Sequence, residues 1–297
     1  MKILVTGGTG FIGQHLISNW LKEGDAVFCY TRDSSKVKEI FGDAVTPVTE
    51  MPPKDDLEVD AVVNIAGEPI ADKRWSNERK LLLRESRINL TAALVEWIKG
   101  LEKKPEVLIS GSAIGYYGSV VGDQKLDESV QATPGFTHSL CQDWENEALN
   151  AEELGVRVCL IRTGIVLGSG GALAKMYLPF KMGLGGPIGS GNQWMSWIHV
   201  DDEVDVIEML LTHPDLSGVF NLTAPNAVTN REFSKTLGKV MHRPAILPMP
   251  GYAIKLLLGD GAELLLEGQR VYPEKLLSIG YKFKYETLTE ALESIVG

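Results

Sequence analysis

The sequence contains few cysteines and no long apolar run, and each shortage excludes a class of protein. Its 297 residues include only three cysteines, Cys29, Cys141 and Cys159, which are widely spaced and form no C-x-x-C or Cys/His pattern. This spacing indicates reduced thiols rather than a disulfide framework, and we expect no structural zinc and no other metal site. No stretch approaches the roughly 18 uninterrupted apolar residues of a membrane-spanning helix, so we expect no membrane partner.

Positive charge is also in short supply. Lysine and arginine number 29 against 39 aspartates and glutamates, which gives a formal net charge of −10. Binding along a nucleic-acid backbone requires clustered positive charge, so we expect no nucleic-acid partner and only local binding of an anionic ligand. The chain passes from Met1–Val5 directly into Thr6–Gly10, without the apolar segment or cleavage site of a secretory signal. A cytoplasmic location is therefore expected.

What is present fits a folded chain of one large unit or two lobes. Apolar residues make up 44% and charged residues 23%, and the mean hydropathy is +0.00, as in ordinary globular proteins. A short apolar run at 3–5 is followed by glycines at 7–13, an amphipathic stretch at 12–21 and a second apolar run at 26–30. This order predicts a strand, a turn, a helix and a strand, which form one βαβ unit.

The alternation of strands and helices continues along the chain. Further strands are predicted at 61–66, 107–110, 156–161, 197–200 and 219–222, and further helices at about 77–99, 137–154 and 287–295. Strands that alternate with long helices are typical of an α/β fold with a doubly wound parallel sheet of Rossmann type.

A composition change marks where this sheet domain ends. Nine glycines fall between 164 and 191, which indicates loops rather than further sheet. We predict that residues 1–165, with a return segment at about 198–223, form a dinucleotide-binding domain. Residues 166–197 and 224–297 would then form a smaller, mainly helical C-terminal lobe.

The glycines that follow the first strand match the G-x-x-G-x-x-G pattern of a phosphate-binding loop. In such loops one glycine makes a tight turn, one lets a pyrophosphate approach the backbone, and one lets the helix pack closely on the strand. The following helix offers free N–H groups and a positive dipole end. We predict dinucleotide binding rather than a turn without ligand, and the candidate binding residues are Gly7, Thr9, Gly10, Phe11, Ile12 and Gly13.

The end of the second strand predicts which nicotinamide cofactor binds. An NAD-preferring site places Asp or Glu against the adenosine ribose about 20 residues after the glycines. Here Thr31 and Arg32 occupy that place, and Arg32 lies 19 residues after Gly13. A guanidinium binds a 2′-phosphate bidentately, so we predict NADP(H) with Thr31 and Arg32 as binding residues. The alternative is that Arg32 is a solvated surface charge and that Asp33 turns inward to the ribose.

Longer motifs extend along the whole chain. They are TGGTGFIG at 6–13, NIAGEPI at 64–70, SGSAIGYYG at 110–118, RTGIVLG at 162–168 and LGGPIGSGNQWMSWIHVDD at 184–202. With these motifs the chain resembles the atypical members of the extended short-chain dehydrogenase/reductase superfamily, in the "epimerase family" branch of NAD-dependent epimerase/dehydratase-like proteins with a C-terminal domain of their own. The string at 184–202 and the tail at 230–273 look specific to that branch.

The resemblance implies further cofactor-binding residues. Asn64, Ile65, Ala66 and Gly67 match the segment that lies along the adenosine ribose and pyrophosphate. Val166 belongs to the loop at 163–166 that brackets the nicotinamide. Arg87 falls on the helix where its charge would reach the cofactor phosphates, or it is only a cation on the helix surface, and both alternatives stay open.

The chain departs from the superfamily at its catalytic pair. Ordinary members carry Y-x-x-x-K, in which Lys lowers the pKa of the Tyr phenol that exchanges a proton with the substrate oxygen. The corresponding window holds Phe136 with Leu140 in one register and Thr137 with Cys141 in the other. Neither pair reproduces that chemistry.

Some hydroxyl groups near the expected catalytic position remain. Ser112 matches the Ser/Thr that helps bind the substrate carbonyl, so we take Ser112 and Tyr116 as catalytic candidates. Tyr117 is the alternative phenol, and packing is the competing interpretation of both tyrosines. We expect His138 to pack on a helix face and His199 to help cap the next helix rather than to act on substrate.

Two functions follow from these features. The first is an NADP(H)-binding oxidoreductase or epimerase-like enzyme that acts on a small polar metabolite, for example a nucleotide-linked sugar. The second is a non-catalytic NADP(H)-binding sensor or regulatory module. The sequence leaves homo-oligomer formation open.

Overall fold

The computed structural model describes residues 1–52, 57–119 and 122–297. The strands are β1 (Lys2–Thr6), β2 (Ala26–Tyr30), β3 (Val45–Val48), β4 (Ala61–Asn64), β5 (Val107–Ala113), β6 (Lys125–Leu126), β7 (Arg157–Thr163), β8 (Ile165–Leu167), β9 (Trp194–Met195), β10 (Trp197–His199), β11 (Gly218–Leu222), β12 (Val228–Thr229) and β13 (Arg270–Val271). The helices are α1 (Phe11–Glu23), α2 (Ser34–Phe41), α3 (Asn77–Gly100), α4 (Phe136–Leu149), α5 (Gly171–Lys181), α6 (Val200–Thr212), α7 (Asn230–Val240), α8 (Gly251–Leu258), α9 (Glu263–Leu266), α10 (Glu274–Ser278) and α11 (Leu288–Val296).

Seven strands form one sheet in the order β11-β7-β5-β4-β1-β2-β3. Every neighbouring pair in this sheet is parallel. The strand order reverses at β1, because β2 and β3 lie on one side of it while β4 and the later strands lie on the other. This arrangement confirms the predicted α/β fold of Rossmann type, and it opens a crevice beyond the carboxyl ends of β1 and β4.

Helices cover both faces of the sheet because successive side chains of a strand point to opposite faces. Ile3 and Val5 of β1 pack in a core cluster with Leu16 and Ile17 of α1. Leu4, between them, packs in a second cluster that includes Leu94 of α3. Burial on both faces explains why the sheet strands read as continuous apolar runs rather than alternating ones.

The C-terminal helices form a third core cluster. Trp197 is fully buried in it together with Phe233 of α7 and Leu292 of α11. The helical C-terminal region that the sequence predicts is therefore present, with its own packed interior.

One expectation about the return segment needs correction. The strand predicted at 197–200 forms as β10, but it pairs with β8 in a separate two-stranded sheet, and only β11 joins the main sheet. The chain leaves the main sheet at Gly164, where a Cβ atom would lie 2.7 Å from the backbone oxygen of Ser196. This close approach brings β8 beside β10 and away from β7.

The described residues contain neither a membrane-crossing helix nor a metal-binding cluster. No helix there combines the length and the apolar character that crossing a bilayer requires. No cluster of three or more His, Cys, Asp or Glu side chains there is arranged to hold a metal ion.

Candidate functional site

A continuous groove lies over the carboxyl ends of β1 and β4. It consists of a cavity of about 420 Å³ beside β2 and a cavity of about 610 Å³ that reaches the C-terminal region. Gly7, Gly10 and Ile65 line both cavities, so the two are joined across the glycine loop. A groove at this position is where parallel α/β sheets bind ligands. We call the smaller part the adenosine cavity and the larger part the substrate cleft.

The glycine loop has no room for side chains at two of its positions. Gly7 has a φ of +76°, and a Cβ atom there would lie 2.9 Å from the backbone of Ala66. A Cβ atom on Gly13 would lie 2.4 Å from the backbone oxygen of Gly7 and 2.6 Å from the Cα of Gly8. The first glycine thus makes the turn, and the last one lets α1 approach the loop, as the motif predicts.

The N-terminus of α1 is open toward the groove. Its N-cap residue is Gly10, and no side chain of the described residues caps the helix there. By contrast, the side chain of Asp33 caps α2 and that of Ser76 caps α3. An uncapped helix end with free N–H groups and a positive dipole is suited to a phosphate.

Arg32 and Asp33, which follow β2, have different environments. Arg32 is exposed and is the one cationic residue among the described residues that line the adenosine cavity. Asp33 Oδ1 accepts hydrogen bonds from the backbone N–H groups of Ser35 at 3.0 Å and Lys36 at 3.3 Å. The hydrogen bonds from the Ser35 hydroxyl and from Lys36 lower the pKa of Asp33. Asp33 is therefore a helix cap and does not turn inward to a ribose.

Most of the predicted cofactor-binding residues line one part of the groove or the other. They are Gly7, Thr9, Gly10, Phe11, Ile12, Gly13, Thr31, Arg32, Ile65, Ala66, Gly67 and Val166. Asn64 is an exception, because its amide is fully buried and bonds to Thr6, Thr91 and Ser110 at 2.8 to 3.3 Å. Asn64 holds the segment 65–67 in place and does not itself line the groove.

Arg87 also lies outside the lining of the groove. Its guanidinium donates to the backbone oxygens of Leu83 and Glu68, both at 3.0 Å, and its Cζ lies 5.4 Å from the ring centroid of Trp144. A Cβ atom on Gly67 would lie 2.8 Å from that Cζ. Burial lowers the pKa of Arg87. The side chain thus supports the loop at 67–68 from behind, which is neither of the two positions expected from the sequence.

The catalytic candidate Ser112 does not line the substrate cleft. Its hydroxyl donates to Glu145 Oε1 at 2.6 Å, and Arg162 donates to the same carboxylate at 2.8 and 2.9 Å. All three side chains are at least nine-tenths buried. Burial by itself lowers the pKa of Arg162, but its bonds to Glu145 raise it overall, so the guanidinium stays charged. Ser112 belongs to this buried ion pair rather than to the cleft surface.

The two tyrosines that follow are held by the same arginine. Arg162 Cζ lies 3.3 Å from the ring centroid of Tyr116, and neither tyrosine lines the cleft. Tyr117 accepts a hydrogen bond from Arg162 at 3.2 Å and donates one to Asn221 at 2.7 Å. Burial raises the pKa of Tyr117 to about 12, which keeps its phenol protonated. The positions of Ser112 and Tyr116 thus give their predicted catalytic role no geometric support.

Helix α4 shows which register faces the cleft. Thr137 and Cys141 both line it, whereas of the other register only Leu140 does, because Phe136 packs against Trp75 with ring centroids 5.1 Å apart. Burial raises the pKa of Cys141 to about 11, so its thiol stays protonated. Thr137 and Cys141 therefore present a hydroxyl and a neutral thiol to the cleft.

Glu203 is a buried acid behind the cleft that sequence reasoning missed. Its Oε1 lies 2.8 Å from the hydroxyl oxygen of Thr163, which lines the cleft. Its Oε2 has no hydrogen-bond partner among the described residues, and the side chain has no exposed surface. Burial raises the pKa of Glu203 to about 8, so it is protonated at neutral pH. A protonated carboxyl can donate to Thr163, which leaves the threonine hydrogen free to donate into the cleft.

The histidines have structural positions. His199 is the N-cap of α6, and its Nδ1 accepts from the backbone N–H of Asp201 at 3.1 Å. His138 Nδ1 lies 2.7 Å from the backbone oxygen of Tyr116. Both fit the packing and capping interpretations given above.

Glu203→Gln should flatten the dependence of stability on pH. An unfolded glutamate titrates near pH 4.3, whereas folded Glu203 titrates near pH 8, as its pKa of about 8 indicates. Between these values the folded state holds a proton that the unfolded state has released, so folding loses stability as pH rises. The amide of the variant cannot titrate. The free energy of unfolding of the variant should therefore rise relative to that of the parent from about pH 5 to about pH 8. Urea unfolding at several pH values measures this, with Glu39→Gln on the exposed side of α2 as control, and parallel pH profiles for Glu203→Gln and parent would contradict the assignment.

Known proteins resemble this chain along its length. A model of the NAD dependent epimerase/dehydratase family matches residues 3–223, and a domain of unknown function, DUF1731, matches residues 249–295. Epimerase family protein SDR39U1 homolog, chloroplastic, from Arabidopsis thaliana is 43% identical over 305 residues, which cover 100% of this chain and 87% of the relative. Epimerase family protein YfhF from Bacillus subtilis is 35% identical over 303 residues, which cover 100% of this chain and 98% of the relative.

Solved structures are similar as well. The crystal structure of human epimerase family protein SDR39U1 with NADPH has a TM-score of 0.91 and 33% identity, and the match covers 100% of this chain and 99% of that one. UDP-glucose 4-epimerase from Thermotoga maritima, crystallised with UDP-glucose, has a TM-score of 0.80 and 21% identity, with 100% and 97% covered. The second likeness concerns the fold alone.

Proposed function

The chain belongs to the NAD dependent epimerase/dehydratase family, and from this premise we propose that it binds NADP(H) and acts as an oxidoreductase or epimerase-like enzyme on a small molecule. The observation that favours NADP(H) over NAD(H) is that Arg32 and Asp33 make different contacts. Arg32 faces the adenosine cavity, while Asp33 is committed to capping α2. A 2′-phosphate would thus meet the Arg32 guanidinium, while Glu68, the one carboxylate among the described residues that line this cavity, is paired with Arg79. The human relative that was crystallised with NADPH supports the same choice.

In this proposal, different residues of the groove bind different parts of the cofactor. Gly7 to Gly13 and the open end of α1 hold the pyrophosphate, Ile65 to Gly67 lie along it, and Thr31 with Arg32 hold the adenosine phosphate. Val166, which lines the cleft, would lie beside the nicotinamide, and the chemistry that this ring would supply is the exchange of a hydride. A site at a switch point with an uncapped helix end fits such a dinucleotide.

Thr163 is the hydroxyl that we assign to the substrate oxygen. It lines the cleft in the loop next to Val166, and Glu203 lies behind it at 2.8 Å. With its proton on the carboxyl, Glu203 would direct the threonine hydrogen toward a carbonyl oxygen in the cleft, where that hydrogen would stabilise negative charge developing on the oxygen. Glu203 acts through Thr163 and is a positioning residue. The role first predicted for Ser112 and Tyr116 stays a prediction.

Arg32→Ala should weaken NADPH binding and leave NADH binding unchanged. NADH lacks the 2′-phosphate that Arg32 would bind, so only the phosphorylated cofactor loses an interaction, worth about 1.5 to 3 kcal/mol for a charged hydrogen bond. That corresponds to a rise of roughly 10- to 150-fold in the Kd for NADPH. Fluorescence titration of both cofactors checks it, with Lys38→Ala in the last turn of α2 as control. Equal losses for NADPH and NADH would refute the assignment of Arg32.

One observation favours a second function, a sensor that binds NADP(H) without turnover. The Tyr/Lys pair is absent, and the phenol of Tyr117 is tied to Arg162 and Asn221. Bound NADPH that persists unoxidised with a broad panel of aldehydes and ketones would support the sensor. Oxidation by any member of the panel would support the enzyme.

A further inference from the structure

We propose that the substrate of this cleft is a largely apolar compound without phosphate or any other anionic group, and so not a nucleotide sugar. This rests on the proposed function, because the cleft is taken as the place where substrate meets the nicotinamide. It departs from the polar metabolite suggested by the sequence. The evidence is the charge and the hydrogen-bonding state of the residues at the end of the cleft far from the adenosine cavity.

Charge at the substrate cleft is of one sign only. Among the described residues that line the substrate cleft there is no lysine, arginine or histidine. Two glutamates, Glu263 and Glu267, do line it. A nucleotide sugar carries a pyrophosphate, which proteins hold with arginine, lysine or a helix end. The N-termini of α1, α4 and α5, which have no side-chain cap, border the groove, and the proposed cofactor occupies the first of them. Neither α4 nor α5 contributes the part of the wall that carries Glu263 and Glu267. A second pyrophosphate would face these two glutamates, and Lys80, whose charge acts on Glu263, is itself paired with Asp260.

Cations close to the cleft are already engaged elsewhere. Arg270 stacks on Trp194, with Cζ 4.5 Å from the ring centroid, and donates to the backbone oxygen of Asp123 at 3.1 Å. Lys80 Nζ forms an ion pair with Asp260 at 2.5 Å. Moving either one to a phosphate would break an existing interaction.

The neutral hydrogen-bond donors at the end of the cleft far from the adenosine cavity also have partners within the protein. Gln193 Nε2 donates to the backbone oxygens of Ile188 at 3.0 Å and Leu265 at 2.7 Å. The other bonds of this kind run from Ser196 Oγ to Gln269 O, from Gln269 Nε2 to Gly118 O, from Trp194 Nε1 to Gly122 O and from Ser119 Oγ to Glu267 Oε2. Because their N–H and O–H groups are used within the protein, these side chains offer a phosphate few donors.

Two oxygen atoms add to the negative character of this end. Gln193 Oε1 and Glu263 Oε1 are buried and have no hydrogen-bond partner among the described residues. Their partial charges are not compensated by a nearby donor, which disfavours an anion further.

The remaining walls are apolar. Ile188, Met195, Leu264, Leu265 and Met176 line the cleft. Apolar walls bind a ligand by removing its apolar surface from water, at about 25 cal/mol per Å². An alcohol, ketone or aldehyde with a hydrocarbon body meets these walls, and Thr163 offers a donor for its oxygen.

The test compares three ligands that share one octyl chain and differ in head group with one nucleotide sugar. Octanol, octylamine, octanoate and UDP-glucose are titrated by calorimetry into the protein saturated with NADP⁺. We expect octanol and octylamine to bind, and octanoate and UDP-glucose to bind at least about tenfold more weakly, since like charges repel in a poorly solvated cleft. UDP-glucose that binds as tightly as octanol overturns the proposal, as does octanoate equal to octanol.

A charge reversal tests whether the dependence of affinity on head-group charge arises in the cleft. Glu267→Lys should raise the affinity for octanoate and lower that for octylamine, each by about tenfold or less because Glu267 is exposed. Glu293→Lys, on exposed surface in α11, is the matched control and should leave both affinities unchanged. Identical changes in the two variants would show that the ligands respond to overall charge, which contradicts the proposal.

Failure of the proposed function is recognised separately. If NADPH does not bind, the cofactor assignment fails, and the same ligand series on the free protein still tests the chemistry of the cleft. If NADPH binds and none of the octyl ligands does, the substrate class is wrong and the cofactor assignment stands.

Discussion

Gly13→Val is expected to abolish NADPH binding. A Cβ atom at this position would lie 2.4 Å from the backbone oxygen of Gly7 and 2.6 Å from the Cα of Gly8. Both neighbours are backbone atoms that cannot rotate away, so the glycine loop itself must move. Loss of two charge-assisted hydrogen bonds to the pyrophosphate, each worth about 1.5 to 3 kcal/mol, would raise the Kd at least about 100-fold. Fluorescence titration with NADPH measures the change.

A graded set of glycine variants separates this effect from general misfolding. Gly135→Ala is the control, because Gly135 has extended backbone and a Cβ atom there has nothing within 4 Å. Gly10→Ala is a milder test, since its Cβ atom would lie 3.1 Å from the Gly7 oxygen. The variants must keep the circular dichroism of the parent. A folded Gly13→Val protein that binds NADPH as the parent does would disprove the role of the loop.

Arg162→Met is expected to destabilise the protein by about 3 to 5 kcal/mol, because it leaves the charge of Glu145 buried without its partner. The pair is bidentate, at 2.8 and 2.9 Å, and both residues are more than nine-tenths buried. The free energy of unfolding from urea titration measures the loss. Glu96→Gln, which removes the exposed ion pair with Lys99, should change it by less than about 0.5 kcal/mol.

A double variant shows whether the loss comes from the unpaired charge. Glu145→Leu combined with Arg162→Met removes both charges, so its destabilisation should be smaller than the sum of the two single variants. Additive losses, or an Arg162→Met protein as stable as the parent, would contradict a strongly coupled ion pair.

The features of the structure that depend on local geometry could be predicted from the sequence. The glycine loop follows from steric limits between adjacent elements, and Gly7 and Gly13 meet those limits within one βαβ unit. The place of Arg32 follows from its distance along the same unit. The doubly wound sheet likewise follows from the alternation of apolar strands and helices.

The arrangement of side chains around the substrate cleft could not be predicted, because these side chains are oriented by distant parts of the chain. Ser112 turns away from the cleft since Glu145 comes from α4 and Arg162 from β7. Thr163 gains its partner only when α6 brings Glu203 behind the loop. The acidic residues at the start of α6 read as a helix-capping signal, and nothing in their spacing points to the cleft.

The shared border of the two cavities couples their contents. Gly7, Gly10 and Ile65 line both, so a molecule in the adenosine cavity changes the wall that a molecule in the substrate cleft meets. Such coupling is reciprocal, and each occupant alters the affinity of the other by the same factor. Affinities measured for one site alone therefore describe only half of a thermodynamic cycle. Under the proposed function, oxidised and reduced cofactor would define two such cycles.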